Sequence, residues 1–489
     1  MNQPTSYLWH DYESTGIDKA RDRPTQFAAI RTDADLNEID EPIDLFCKIS
    51  PDVCPSPVAA LLTKILPQQC EKQGLSEADF TDFIMGQMMQ PGTCSVGFNS
   101  LKFDDELSRH LFYRNLRDPY AREWQNGNTR WDIIDLVRTT YAFRPEGIEW
   151  PVGEDGAVSF RLEDLAKANN LSVDRAHDAL SDVRTTIALA RLIKEKQPKL
   201  FDHFLSLRDK KQVLTLLQNP ARPVLAHVAT MHGKHHRCVG LVVPVGPHPT
   251  NKNAYIVADL TSDPSGWINK SAQEWSERLY VRHEDDSEGP RNFLRVIQAN
   301  KCPALFASGL VKQDKERFSF LDLDQVTEYW KVITENTELL KKAQQAYLIS
   351  EANRPAFVDP ELSLYSGFTS NDDRRQLNQI LLLPPEDLAA RTFRFQDPKW
   401  ETLLFRYRAR NWPETLGPEE KEEWDRFVQQ RLHENSEVGH RTVAQALEEL
   451  QMMLDQGRVK EEDPDYHALK NWLQEKALPP SPASPRPQL

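Results

Sequence analysis

The chain has 489 residues, 39% of them hydrophobic and 27% charged, with a formal net charge of −14. These are the proportions of a soluble globular protein with room for about three domains. The acidic balance argues against a protein that coats nucleic acid through its global charge. A nucleic-acid enzyme is still allowed, because it needs only a local basic groove and its own metal-binding carboxylates add negative charge. No stretch approaches the ~20 apolar residues of a membrane helix. Met1-Asn2-Gln3-Pro4-Thr5-Ser6 lacks the basic and apolar regions of a signal peptide, so a cytoplasmic chain without a membrane partner is expected. The cysteines (Cys47, Cys54, Cys70, Cys94, Cys238 and Cys302) are scattered without a C-x-x-C pair. That pattern points to reduced thiols rather than to a disulfide framework or a zinc site.

Residues 1–196 alternate strand and helix patterns, as in a sheet covered by helices. A first strand opens at Tyr7-Leu8-Trp9 and runs through Asp11 and Glu13; residues 26–31 form its hairpin partner and 45–49 a third strand. Helices are expected near 57–66 and 76–89, the second with a capping-box-like start at Ser76 and Asp79. Residues 94–98 make a short buried strand, 104–115 a helix, and 159–196 a helical segment broken near 171–175. Three strand-like runs at 224–229, 239–245 and 254–260 mark a small β-domain over 197–350. From 351 to 476, Trp, Leu and Phe recur three and four apart, as in a helical domain with a solvated acidic face at 419–423. The proline-rich tail, 477–489, is expected to be disordered.

Asp11 and Glu13 stand two apart on a strand and therefore share a face. Two carboxylates on an otherwise apolar strand are costly to bury unless neutralised. A hard divalent cation, Mg²⁺ or Mn²⁺, suits such oxygen ligands; the alternative is a strand end whose acids face water. Asp104 follows Phe98-Asn99-x-x-x-Phe103 at a helix start, where an acid also serves as an ordinary cap. Its neighbours Asp105 and Glu106 point elsewhere around that helix. The third element is Ala176-His177-Asp178-Ala179-Leu180-Ser181-Asp182. Residues five apart in a continuous helix lie about 140° apart around the axis. His177 and Asp182 therefore face one site only if His177 sits at the loop-to-helix junction, with Asp182 one turn in. Leu180, Val183, Ile187 and Ala190 supply the buried stripe of this helix.

In the order D-x-E, F-D and H-x-x-x-x-D, these elements resemble the DEDDh family of 3′→5′ exonucleases, which implies an RNase H-like fold for 1–196. Four carboxylates can hold two Mg²⁺ ions, with Mn²⁺ an alternative, about 3.5–4 Å apart across an in-line displacement. Asp11 would bridge both; Glu13, Asp104 and Asp182 would complete the shells. His177, whose ordinary pKa is near neutral, is suited to take the proton of the attacking water. The product would be a nucleoside 5′-monophosphate from the 3′ end.

Further stretches carry a wider resemblance. His10-Asp11-Tyr12-Glu13, Arg23-Pro24-Thr25-Gln26-Phe27-Ala28, Phe143-Arg144-Pro145-Glu146-Gly147-Ile148 and Leu404-Phe405-Arg406-Tyr407-Arg408 are similar to the bacterial exodeoxyribonuclease I family over nearly the whole chain. That family implies an α/β exonuclease domain (1–196), an SH3-like β-domain (197–350) and an all-α C-terminal domain (351–476). It also implies a monomer that degrades single-stranded DNA in repair and recombination. Single-strand binding needs cations for phosphates and aromatic faces for bases, and the segment 109–138 supplies both. The resemblance supports Arg109, Tyr120, Trp124, Arg138 and Arg161 as strand contacts, whereas Trp131, within an apolar run, reads as core. It also implies a pocket for the acidic C-terminal tail of single-stranded-DNA-binding protein, with Arg144 against the tail's carboxylate. His203 departs there from an aromatic that the family can carry.

The tract His232-Gly233-Lys234-His235-His236-Arg237-Cys238 lacks a second ligand cluster at zinc spacing and reads as a basic turn between two strands. Two other functions are weighed. A different DEDDh activity, proofreading or exoribonuclease, is disfavoured by the roughly 290 residues beyond 196, given ordinary domain sizes. A non-catalytic DNA-binding scaffold is disfavoured by the presence of all five site residues.

Overall fold

The computed structural model describes residues 4–171, 178–280, 292–353, 359–434 and 439–477. Its first sheet is built outward from β1 (Ser6–Ser14), which pairs antiparallel with β2 (Pro24–Thr32). β2 in turn pairs with β3 (Ile43–Phe46). On its other edge β1 runs parallel to β4 (Thr93–Gly97), and β4 to β5 (Thr129–Asp132), giving the order β3-β2-β1-β4-β5. Side chains alternate along β1. Tyr7 and Trp9 enter one core with Trp131, Val183 and Ile187, while Leu8 and Tyr12 enter another with Phe27, Phe80 and Leu111. Asp11 and Glu13 therefore continue the Trp9 face just where its apolar residues run out.

Three helices connect β3 to β4: α1 (Pro57–Thr63), α2 (Pro67–Gln73) and α3 (Glu77–Met88). The helix expected near 57–66 ends early, because Lys64 turns left-handed at φ 58° and Leu66 is extended ahead of Pro67, the conformation a following proline imposes. Ser76 caps α3 by accepting from Asp79 N at 3.1 Å. The next helix, α4 (Asp104–Arg114), leads through Tyr120 and Trp124 to β5 and then α5 (Ile133–Phe143). β5 is buried at every position, so it carries no alternation from which a strand could be predicted. The helical segment of 159–196 comprises α6 (Leu162–Ala168) and α7 (Ala179–Lys196), and α7 packs on β1 and β2.

The second sheet is antiparallel, in the order β10-β6-β7-β8-β9. The three predicted runs correspond to β6 (Leu225–Val228), β7 (Val239–Pro247) and β8 (Ala254–Asp259). β9 (Leu294–Gln298) and β10 (Ala304–Ala307) were not anticipated; both are short, and Arg295 and Gln298 interrupt the apolar pattern of β9. Helices Leu323–Glu335 and Leu339–Ala352 fall inside the span expected to be β-rich. Trp131 of the first sheet packs against Phe201 and Phe204, at 5.2 and 6.1 Å between ring centroids, so the core continues toward the second sheet.

The remaining chain is helical, and it joins the first domain through buried charge as well as apolar contact. Arg23, Arg406, Arg410 and Arg431 converge on Glu361, and Arg410 and Arg431 also reach Asp52. All six cysteines are buried thiols. Among the described residues no helix is long and apolar enough to cross a membrane. The tail beyond Ala477 lies outside the described residues.

Candidate active site

The register of β1 and the start of α7 together make the site. Asp178 caps α7 by accepting from Ser181 N at 3.3 Å, which sets Asp182 in the first helical turn. α7 lies over β1, so Asp182 faces the strand: one oxygen from each of Asp11, Glu13 and Asp182 lies within 4.8 Å of the others. His177 immediately precedes the capping residue and lies outside the described residues. Asp104 approaches from the other side, its Oδ1 accepting from Tyr12 N at 3.2 Å. It is not within the 4.8 Å group, but the charge of Asp11 acts on it.

Electrostatics mark this as a place that wants a cation. Burial, and then the charge of Asp182, push the Asp11 carboxyl up to about 8. Burial and the acids Asp11, Asp182 and Asp178 push Glu13 up to about 9. Asp104 is raised well above the carboxylate range by burial and by Asp11. Repulsion among carboxylates in a desolvated cluster is what a hard divalent ion relieves. The all-oxygen donor set fits Mg²⁺ or Mn²⁺ better than a soft metal.

Asp104 owes its place to a short loop after β4. A Cβ on Gly97 would stand 2.6 Å from Ser100 Cβ and 3.0 Å from His10 O, so only glycine lets the loop close on β1. Asn99 is left-handed at φ 63°, a conformation asparagine tolerates. Asp132 holds the loop from below: its carboxylate accepts from Asn99 N (2.8 Å), Leu101 N (3.1 Å) and Ile134 N (3.0 Å). Asp132 is absent from the sequence prediction. Its place before the apolar run at 133–137 was a cap signal that could have revealed it.

The expected strand contacts are placed differently from one another. Trp124 is 65% exposed, and Arg161 is exposed at the start of α6. Tyr120 is half-buried with Arg109 over its ring at 5.3 Å. Arg109 itself is buried and already committed to Glu123 and Glu106, both at 2.7 Å. Arg138 is buried, paired with Asp135 at 2.6 Å and 5.9 Å from the Phe160 ring. Arg144 is exposed on a cavity of about 600 Å³ lined also by His203, Lys199, Arg222, Leu305 and Phe306. His203 packs 5.0 Å from Phe306 there.

The histidine tract does lie between β6 and β7. His232 turns inward, its Nε2 3.1 Å from His227 Nδ1, while Lys234, His235 and His236 are exposed.

Comparison with known proteins covers most of the chain. Residues 8–190 match the family described as Exonuclease, 208–348 the Exonuclease I SH3-like domain, and 358–476 the Exonuclease I C-terminal domain. The chain is 42% identical to exodeoxyribonuclease I of Haemophilus influenzae, over 89% of this chain and 92% of that one. It is 40% identical to the Escherichia coli enzyme, over 86% and 89%. Its structure is similar to Exonuclease I from Methylocaldum szegediense (TM-score 0.89, 41% identity, 96% and 98% covered). It is equally similar to E. coli Exonuclease I in complex with a dA16 oligonucleotide (TM-score 0.89, 38% identity, 97% and 99% covered). A zinc-bound complex of E. coli ExoI with single-stranded DNA and a structure of SSB/Exonuclease I with an inhibitor are similar as well (TM-scores 0.89 and 0.88).

Proposed function

The chain belongs to the exodeoxyribonuclease I family, and from that premise we propose how its own residues degrade single-stranded DNA from the 3′ end. The observation that carries the reading is the convergence of Asp11, Glu13 and Asp182 within 4.8 Å, with Asp104 beside them, in a cluster whose acids raise one another's pKa. These four carboxylates would hold two divalent ions, Mg²⁺ by preference and Mn²⁺ as a substitute. Bound there, such ions polarise the scissile phosphate and lower the pKa of the attacking water.

The protein's part is to place and to exclude. Asp11 shares the 4.8 Å group with Glu13 and Asp182 and acts on Asp104, so it would contribute to holding both ions. His177, next to the cap of α7, takes the water's proton. Trp124 and Tyr120 offer ring faces to bases, and Arg161 an exposed cation to phosphate; stacking tolerates any base. Arg109, over the Tyr120 ring, and Arg138 are further strand contacts. Domain limits near 196 and 350 separate this machinery from the SH3-like and helical parts. The protein acts as a cytoplasmic monomer.

Arg144 and its cavity would receive the C-terminal tail of single-stranded-DNA-binding protein, whose carboxylate suits the guanidinium and whose apolar side chains suit Phe306 and Leu305. Arg144→Ala should abolish binding of a tail peptide in anisotropy while leaving hydrolysis of free oligonucleotides unchanged.

The central test compares 3′-labelled and 5′-labelled single-stranded DNA, duplex DNA and RNA with Mg²⁺ or EDTA. Asp11→Ala should lose mononucleotide release yet keep strand binding in EDTA. Undiminished hydrolysis by that variant, or a preference for duplex or RNA, overturns the reading.

A further inference from the structure

Three consecutive acids open α4, and each goes to a different place. Asp104 faces the site and accepts from Tyr12 N. Asp105 is buried between Arg122 and Arg130 of its own domain. Glu106 leaves that domain. Its Oε1 accepts from Arg109 at 2.7 Å and from Lys301 Nζ at 3.2 Å, and its Oε2 accepts from the Tyr365 hydroxyl. Lys301 lies in the turn between β9 and β10, 195 residues along the chain; Tyr365 ends the short helical turn Pro360–Tyr365, 259 residues along. At about 100° per residue, the three side chains leave one helical turn in three directions.

The branches are joined beneath the helix. Arg130 pairs with Glu123 at 3.0 Å as well as with Asp105, and donates to the carbonyl of Asn300 at 3.1 Å. Glu123 pairs with Arg109, which returns to Glu106. The turn carrying Asn300 and Lys301 is thus fastened at two points to the first turn of α4.

We propose that Glu106 is a positioning residue for the metal site: by fastening Lys301 and Tyr365 to the first turn of α4, it lets the SH3-like and helical parts fix where Asp104 points. This rests on Asp104 being a ligand, as proposed above. Asp104 is fixed within its own domain by the bond from Tyr12 N, and the turn that carries it is fastened a second time, from outside that domain, through Glu106. Outer partners that orient a ligand commonly set metal affinity as strongly as the ligand's own chemistry. A merely adhesive Glu106 would change stability and nothing at the site.

The test measures Mn²⁺ binding by calorimetry and electron paramagnetic resonance on the full chain, beside thermal unfolding and single-turnover hydrolysis. The variants are Asp104→Asn, Glu106→Ala, Glu106→Gln and the double substitution K301M/Y365F. Asp104→Asn should lose most binding at one position. Glu106→Ala should raise the Mn²⁺ Kd about tenfold and lower kcat similarly with KM for the strand unchanged. K301M/Y365F should do the same without touching α4, and so decides the matter should Glu106→Ala fold poorly. Glu106→Gln, which keeps one acceptor oxygen and puts an NH2 at the other position, should fall between. Wild-type Mn²⁺ affinity in K301M/Y365F, with Asp104→Asn impaired, overturns the proposal whatever happens to Tm. Wild-type affinity in Asp104→Asn overturns the ligand assignment instead.

Discussion

Removing a charge from the cluster of Asp11, Glu13 and Asp182 should stabilise the protein when metal is absent and destabilise it, relative to wild type, when metal is present. Asp11→Asn is the cleanest perturbation. The Asp11 carboxyl is raised from 3.8 to about 8 by burial and by Asp182, so it takes up a proton on folding. A carboxyl of this kind contributes most below its unfolded pKa, and its contribution falls as pH rises from about 4 toward about 8. At pH 7 the gap from 3.8 is 3.2 units, which at 1.36 kcal/mol per unit gives a ceiling of about 4 kcal/mol. The cluster is partly open to solvent and shares one repulsion among its acids, so about 2 kcal/mol is the expected gain for the amide. That corresponds to a rise in Tm of roughly 4 °C or more. Differential scanning calorimetry in EDTA and in 5 mM Mg²⁺, roughly a physiological excess, at pH 5 to 8 would read it. In EDTA both should lose stability across this range, the wild type more steeply than Asp11→Asn, in which Glu13 and Asp104 still titrate. With Mg²⁺ the wild type should rise and the variant stay put, reversing the order. A variant no more stable than wild type in EDTA at pH 8 would refute the repulsive cluster.

Trp124→Ala should weaken single-strand binding in EDTA by about 1–3 kcal/mol, read by fluorescence anisotropy. Tm should be unchanged, since the indole is 65% exposed. Glu361→Ala removes the carboxylate on which Arg23, Arg406, Arg410 and Arg431 all converge and should cost about 3–5 kcal/mol in calorimetry. Asp132→Ala strands three backbone N–H groups and should cost about 1–3 kcal/mol together with a fall in kcat, whereas Asp132→Asn keeps an acceptor and should lose less.

What the sequence revealed follows from period and spacing. The D-x-E on β1 was legible because alternation along a strand is rigid, and the start of α7 because residues five apart cannot share a helical face. β5 was not legible, since burial on both faces removes the alternation. Nor were the partners of Asp105 and Glu106: Arg122 and Arg130 stand 17 and 25 residues away, Lys301 and Tyr365 much farther. Only the folded chain brings such charges together. Arg109 shows the same gap from the other side. Its position in the sequence did not show that Glu106 and Glu123 pair with its guanidinium.

The two buried acid clusters differ in what neutralises them, and that difference separates structure from function. Around Asp52 and Glu361 the chain supplies arginines, which hold both carboxyls far below the usual range despite burial. Their contribution is complete above about pH 4.5 and is lost as acid protonates them. Around Asp11 and Glu13 the neighbouring charges that weigh most are acids, and both carboxyls go up. Metal-free stability should therefore fall on both sides of an intermediate pH, the acid limb belonging to the domain junction and the alkaline limb to the site. Divalent metal should lift only the alkaline limb. A chain that pairs its buried acids so fully at one place could have done so at the other; leaving Asp11 and Glu13 to repel would keep that position for a cation from outside, as proposed above.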